Sequence, residues 1–308
     1  MSTSQVTEGY IDFKVPSAGK PCQTWYKVVG NLKSRSRPVV ILHGGPGMAH
    51  LYLRAYGDLA TKYSIPVILY DQLGCGNSTL IPEKAGDGTF WNDQLFLDEL
   101  DNLLEFFGIL GDYDLLGHSW GGMLAARHAV RQPKGLRQLI ISSSPASMVL
   151  WDEAQWDLRL KLPLDIQSIL SNHEREGTTE SAEYQTAVKA FHLRFQCKII
   201  PMPQDLVDMS DVAAKDSTVV MTMYGPDEFH TLGTLKDWSI IDDIHKINVP
   251  TLLINGWDDT AQDKVMIPFF KTIQKVKWVQ FPTASHTAHL EDRERVMEVV
   301  GDFLMRGY

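Results

Sequence analysis

The chain has 308 residues, 44% of them hydrophobic and 22% charged, with a formal net charge of −9. These proportions allow a sizeable buried core in one large domain or two smaller ones, and they argue against wholesale disorder. The acidic balance, without a long basic run, argues against a nucleic-acid-binding face or docking on anionic lipid, and the odd count of three cysteines, none in a C-x-x-C pair, argues against a disulfide framework or a zinc site.

The N-terminal MSTSQVTEGYIDF lacks the basic start and apolar stretch of a secretory leader. No run of about 18 apolar residues offers a membrane span. With the cysteine usage, this predicts a reducing, cytoplasmic location. Residues 9–15 and 23–29 alternate and carry β-branched and aromatic side chains around a turn at 16–21, a hairpin signal. Strands and helices then alternate. Strands are expected at 38–43, 65–70, 113–116 and 136–142, with helical segments at 52–63, 91–107 and 121–131. Buried apolar strands alternating with helices imply an α/β fold with a mostly parallel sheet covered on both faces. After Ser144 the rhythm changes. From 145 to about 237 the patterns are helical, clearest at 182–195 and resuming at 205–212 after Pro201 and Pro203. The α/β rhythm returns with a strand at 249–255, a helix at 264–273, a strand at 276–281 and a closing helix at 291–305.

Gly117-His118-Ser119-Trp120-Gly121 fits G-x-S-x-G at a strand–turn–helix junction. That chemistry needs a serine on a sharp, strained turn so that its hydroxyl projects from the sheet. Side chains at 117 and 121 would collide with the neighbouring strand and helix. A helix beginning at Ser119 also turns its positive end toward the reaction centre. Ser119 is thus the candidate nucleophile. After the first core strand, His43-Gly44-Gly45-Pro46-Gly47 lets backbone approach a ligand closely. The N–H groups of Gly45 and Trp120 are the candidate oxyanion hole, and His43 is read as a brace for that loop. No G-K-[ST] follows, so it is not a phosphate loop, and no G-x-G-x-x-G follows a strand.

The order Ser, acid, His is that of α/β-hydrolases. The histidine is expected after the last strand, which selects His286, with His289 as its rival. The acid is expected after the preceding strand. A G-x-x-D turn counted from Gly256 selects Asp259, with Asp258 as the alternative. No metal-site spacing is present, and neither metal nor cofactor is expected.

LHGGPGMAH (42–50), LYDQLGCGNS (69–78) and GHSWGG (117–122), extended by MYGPDEFHTLGTLKDW (223–238) and FPTASHTAHLED (281–292), resemble the proline iminopeptidase family of serine peptidases. That family also includes tricorn-interacting aminopeptidases and L-amino-acid amidases. The resemblance implies an α/β-hydrolase core, 1–144 and 240–308, with an inserted helical cap, 145–239. It implies cleavage of an amide or peptide bond next to a small N-terminal amino acid, so the expected partner is a small-molecule or short-peptide substrate. Glu228, in Gly225-Pro-Asp-Glu-Phe229, matches a carboxylate that holds the substrate's free amine. The chain departs from the pattern at Thr260, where relatives often carry a second carboxylate. An esterase or lactonase with a looser amine requirement therefore stays open, as does a ligand-binding homologue without catalysis. Trp151 and Trp156 are candidates for an apolar pocket in the cap.

Overall fold

The structure, a computed structural model, describes residues 5–306. Residues 1–4, the start of the N-terminal stretch read above as lacking leader features, and residues 307–308 lie outside the described residues.

The N-terminal alternation yields the hairpin: β1 (Val6–Phe13) pairs antiparallel with β2 (Cys22–Val29), Phe13 opposite Cys22. The apolar runs become β3 (Val39–Leu42), β4 (Val67–Asp71), β5 (Tyr113–His118), β6 (Leu136–Ser142), β7 (Thr251–Gly256) and β8 (Val276–Phe281). All belong to one 8-stranded sheet in the order β1-β2-β4-β3-β5-β6-β7-β8. β2 runs antiparallel to β1 and β4, and every later pairing is parallel. A parallel strand covered on both faces has no solvent side, which is why these runs show no polar alternation. In β3, Val40 and Leu42 enter the core on one face while Val39 and Ile41 enter the core on the other. The first face is covered by α2 (Asp93–Phe106), α3 (Trp120–Val130) and α9 (Asp263–Thr272), the second by α1 (Asp58–Tyr63) and α11 (Arg293–Arg306).

Two helical expectations differ from the outcome. Residues 52–63 begin not as α-helix but as 3-10 turns, His50–Gly57, followed by α1. His50, Leu51, Tyr52, Leu53, Ala55 and Tyr56 are all buried. A segment that exposes only Arg54 and buries its other side chains all round has little reason to follow an amphipathic α-helical period. The closing helix is likewise split into α10 (Ala288–Glu291) and α11, because Asp292 adopts φ −132° and ψ 51°. The break lets Glu291 reach back to the N–H groups of Ser285 and Lys198.

Between β6 and β7 the chain inserts α4 (Met148–Arg159), α5 (Leu164–Glu176), α6 (Ala182–Phe195), α7 (Gln204–Ala213) and α8 (Thr218–Met223). This insertion has its own core of Leu158, Leu170, Phe191, Phe195 and Phe229. The Arg159 guanidinium is clamped on both Glu174 oxygens at 2.6 and 2.7 Å. Entry and exit lie side by side: Ser147 bridges Ser239, and the Ile240 N–H donates to the Ala146 carbonyl at 3.0 Å. From β3 the chain moves outward to β4, then returns to place β5 on β3's other side. That reversal opens a crevice at the carboxyl ends of β3 and β5, where open α/β sheets bind their ligands.

Candidate active site

Ser119 occupies the turn from β5 into α3 with φ 55° and ψ −124°, a conformation costly for any residue bearing a side chain. The surroundings hold it there. Its N–H donates to the Ser142 carbonyl at 2.9 Å, and its carbonyl accepts the Gly122 N–H at 2.9 Å. A Cβ on Gly117 would lie 2.1 Å from the Gly121 carbonyl oxygen, and one on Gly121 would lie 2.1 Å from that of Leu42. The glycines of the motif are thus required by backbone-to-backbone contact among β5, α3 and the end of β3.

Asp259 and His286 meet from the loops after β7 and β8. Asp259 is fully buried, and its Oδ1 accepts the His286 Nδ1–H at 2.7 Å. The Ala261 N–H (2.7 Å) and the Gly256 N–H (3.1 Å) fix the carboxylate. With Nδ1 committed, His286 keeps Nε2 free to take a proton. The Thr260 hydroxyl also approaches Nδ1, at 2.9 Å. The alternatives fall elsewhere. Asp258 pairs with Lys198 at 2.5 Å, outside the site. His289 is a core side chain: its Nε2–H donates to the Tyr52 carbonyl at 3.0 Å, and burial pushes its ring down to about 3.

Two buried hydrogen-bond chains frame Ser119. In the first, the Gly44 N–H donates to the Tyr52 hydroxyl (2.8 Å), which donates to His118 Nδ1 (3.0 Å), whose Nε2–H donates to the His286 carbonyl (2.9 Å). The carbonyl can only accept, and this fixes the His118 tautomer. Burial holds the His118 ring well below the ordinary histidine range. In the second, His43 Nε2 accepts the Gln72 N–H at 3.0 Å, and Gln72 Oε1 accepts the Trp120 indole N–H at 2.9 Å. Burial pushes His43 down to about 4, so a neutral ring braces the loop. Asp71 anchors the same segment through the His50 ring (2.7 Å) and the Asn77 N–H (2.9 Å). Burial raises its carboxyl, but the hydrogen bond and charge of His50 outweigh that and hold it low. The YDQLGCGNS segment is therefore scaffolding for the glycine loop.

Ser119 and His286 line one cavity of about 310 Å³, together with Gly45, Trp151, Thr260 and Glu228. Gly45, Ser119 and Trp120 also border an apolar notch of about 20 Å³ whose walls include Met148, Trp151, Tyr224 and Leu235. The sequence-identified residues thus gather around one crevice, with one exception. Trp156 is 45% exposed and lies outside the cavity, over Arg159, because it sits on the outer face of α4. Trp151 stands 6.0 Å from the His286 ring. Several cavity groups carried no sequence signal. His192 on α6 donates from Nε2 to Glu228 Oε1 at 2.6 Å, Gln155 holds the Thr260 carbonyl at 3.1 Å, and Asp227 adds a second carboxylate to the lining. Tyr52 and His118 stood in or beside recognised motifs, yet only the fold reveals that they touch.

Residues 37–293 match the alpha/beta hydrolase fold family. A proline iminopeptidase from Heyndrickxia coagulans is 34% identical over 267 residues, 87% of this chain and 90% of the relative. Among solved structures, VinJ is 46% identical with a TM-score of 0.91, covering 97% of this chain and 98% of its own. The proline iminopeptidase of Mycobacterium smegmatis is 42% identical with a TM-score of 0.89, at the same coverage of 97% and 98%. A crevice with Ser119, His286 and Asp259 on an 8-stranded sheet, and relatives alike over nearly the whole length, lead to one assignment: the chain belongs to the proline iminopeptidase family of serine hydrolases, with the α/β-hydrolase fold.

Proposed function

We propose that the chain removes a small N-terminal residue, proline foremost, from short peptides or aminoacyl amides, through an acyl-enzyme on Ser119. In this reading Asp259 orients His286, and His286 Nε2 takes the Ser119 Oγ proton as Oγ attacks the scissile carbonyl. The N–H groups of Gly45 and Trp120 hold the oxyanion, each worth about 3 kcal/mol in the transition state. His286 passes its proton to the departing amine, and water then releases the acyl group by the reverse sequence. Glu228 pairs with the substrate ammonium. The cavity of about 310 Å³ has room for a small acyl residue such as prolyl, against the apolar wall beside Ser119. The insertion 145–239 serves as the cap over the core 1–144 and 240–308. The buried free thiols of Cys22, Cys75 and Cys197 fit a reducing, cytoplasmic setting.

The observation that carries this reading is the 2.7 Å bond from buried Asp259 to His286, which lines the same cavity as Ser119 and the Glu228 carboxylate. The test is a panel of prolyl and alanyl arylamides, their N-blocked forms and simple esters, with fluorophosphonate labelling of the native chain and Ser119→Ala. The expected result is labelling of the native chain alone, turnover of free-amine arylamides, and loss of about 10⁴-fold or more in kcat for Ser119→Ala. Equal turnover of blocked substrates would remove Glu228 from its role and favour the esterase or lactonase reading that Thr260 leaves open. An unlabelled native chain would mean a binding protein.

A further inference from the structure

α6 meets the site twice. Toward its C-terminal end His192 donates to Glu228 Oε1 at 2.6 Å. One turn later the departing chain is fastened to the loops that carry the His286–Asp259 pair. The Phe195 carbonyl accepts the His286 N–H at 3.2 Å, and the Gln196 carbonyl accepts both the Thr287 N–H (3.1 Å) and its hydroxyl (2.9 Å). The Lys198 N–H donates to Glu291 Oε1 at 2.9 Å, and Glu291 also takes the Ser285 N–H at 2.8 Å. The Lys198 ammonium holds Asp258, the neighbour of Asp259, at 2.5 Å. The His192 carbonyl itself accepts the N–H groups of Gln196 and Cys197, at 2.9 and 3.0 Å, so the helix end and the clasp form one hydrogen-bonded unit.

We propose that His192 is the positioning residue of amine recognition: it fixes the Glu228 carboxylate to the helix whose end holds the catalytic histidine loop, so that the substrate's ammonium and His286 share one frame. This rests on Glu228 being the amine-binding group. A carboxylate accepts at two oxygens through about four lone-pair sites. His192 occupies one site on Oε1, and the rest of the carboxylate remains for a substrate ammonium. Without His192 the Glu228 side chain, about a third exposed, regains rotamer freedom that binding must then remove. A misplaced ammonium also misplaces the scissile carbonyl, so the loss falls on kcat as well as on KM.

The test uses the full chain with activated aryl esters of proline and of its desamino analogue, cyclopentanecarboxylic acid. kcat and KM are measured for native, His192→Phe, His192→Gln and Glu228→Gln. The expected result is a drop of about 10-fold in the prolyl-to-desamino ratio of kcat/KM for His192→Phe, visible in kcat, with most of it restored by His192→Gln, whose amide N–H replaces the donor. If His192→Phe does not fold, His192→Asn, too short to reach Glu228, takes its place with the same expectation. An unchanged ratio in these variants, while Glu228→Gln collapses it, overturns the role of His192 alone. A ratio untouched by Glu228→Gln overturns the amine reading and this proposal together. A loss equal for both esters marks His192 as merely structural and overturns the proposal as well.

Discussion

The hydroxyl of Tyr52 takes the Gly44 N–H and gives its own proton to His118, and His118 in turn gives one to the His286 carbonyl. Burial pushes the Tyr52 phenol up and the His118 ring down, so both stay neutral and the donors and acceptors alternate correctly along the chain. Tyr52→Phe keeps the ring but orphans the Gly44 N–H and His118 Nδ1 in a dry interior. Urea unfolding is expected to show a loss of about 2 kcal/mol. The glycine loop and the His286 loop lose their common tie, so kcat should fall further than KM rises. An unchanged kcat would mean that the tie does not position either loop. The residues that meet at the crevice could be picked out in the sequence because each is spelled by a local motif: G-x-S-x-G for Ser119, G-x-x-D for Asp259, and the loop after the last strand for His286. The residues that hold them could not. Tyr52, His192 and Gln155 act through partners 66, 36 and 105 positions away, and no window of sequence contains both ends.

β5 and α3 are joined so tightly that backbone touches backbone. Gly117→Ala and Gly121→Ala would each drive a methyl group to 2.1 Å from a carbonyl oxygen that belongs to a packed element. Each is expected to cost about 3 kcal/mol or more in chemical denaturation, at the upper end for overpacking. Gly111→Ala, which meets nothing within 4 Å, should stay within about 0.5 kcal/mol of the native chain. Comparable losses at all three positions would contradict this account of the motif. At this scale the buried strands and the well-spaced helices were readable. α6 spans the expected 182–195, and α2 begins where Asn92 caps the Leu95 N–H. What pattern could not supply were interruptions imposed from elsewhere in the fold. The 3-10 start at His50 is set where Asp71 takes the His50 N–H at 2.8 Å, and the break at Asp292 follows Glu291, which is drawn back to Ser285.

Across the whole molecule, burial sets the pH limits. It pushes His43 to about 4 and His128 and His289 to about 3, and it holds His118 well below the usual range. In the unfolded chain these rings titrate near about 6.5. Between those values the unfolded chain binds protons that the native one refuses, so these rings lower stability as pH falls from about 6.5 toward 4. Melting temperatures across that window, with uptake of protons on unfolding, check this. Glu99 acts in the opposite sense. Burial raises its carboxyl to about 7 against the hydrogen bonds of Thr24 and the Leu73 N–H. Because its folded value is raised, it lowers stability as pH climbs from about 4.5 to 7. Glu99→Gln should gain on the native chain between pH 5 and 8 by something on the order of 3 kcal/mol. A difference that stays flat with pH would mean that Glu99 is ionised throughout. The α/β architecture and the place of the insertion were readable from the rhythm of the chain. The mutual seating of cap and sheet was not, since it depends on surfaces that meet only after folding. That seating has an evolutionary consequence. Because the chain enters and leaves the insertion through the adjoining Ser147 and Ser239, the sheet experiences it as a short loop, and its outer helices are free to be redrawn for new substrates. The end of α6 does not share that freedom: every redesign must still finish it over the histidine loop, so diversification is channelled toward the periphery and away from that one turn.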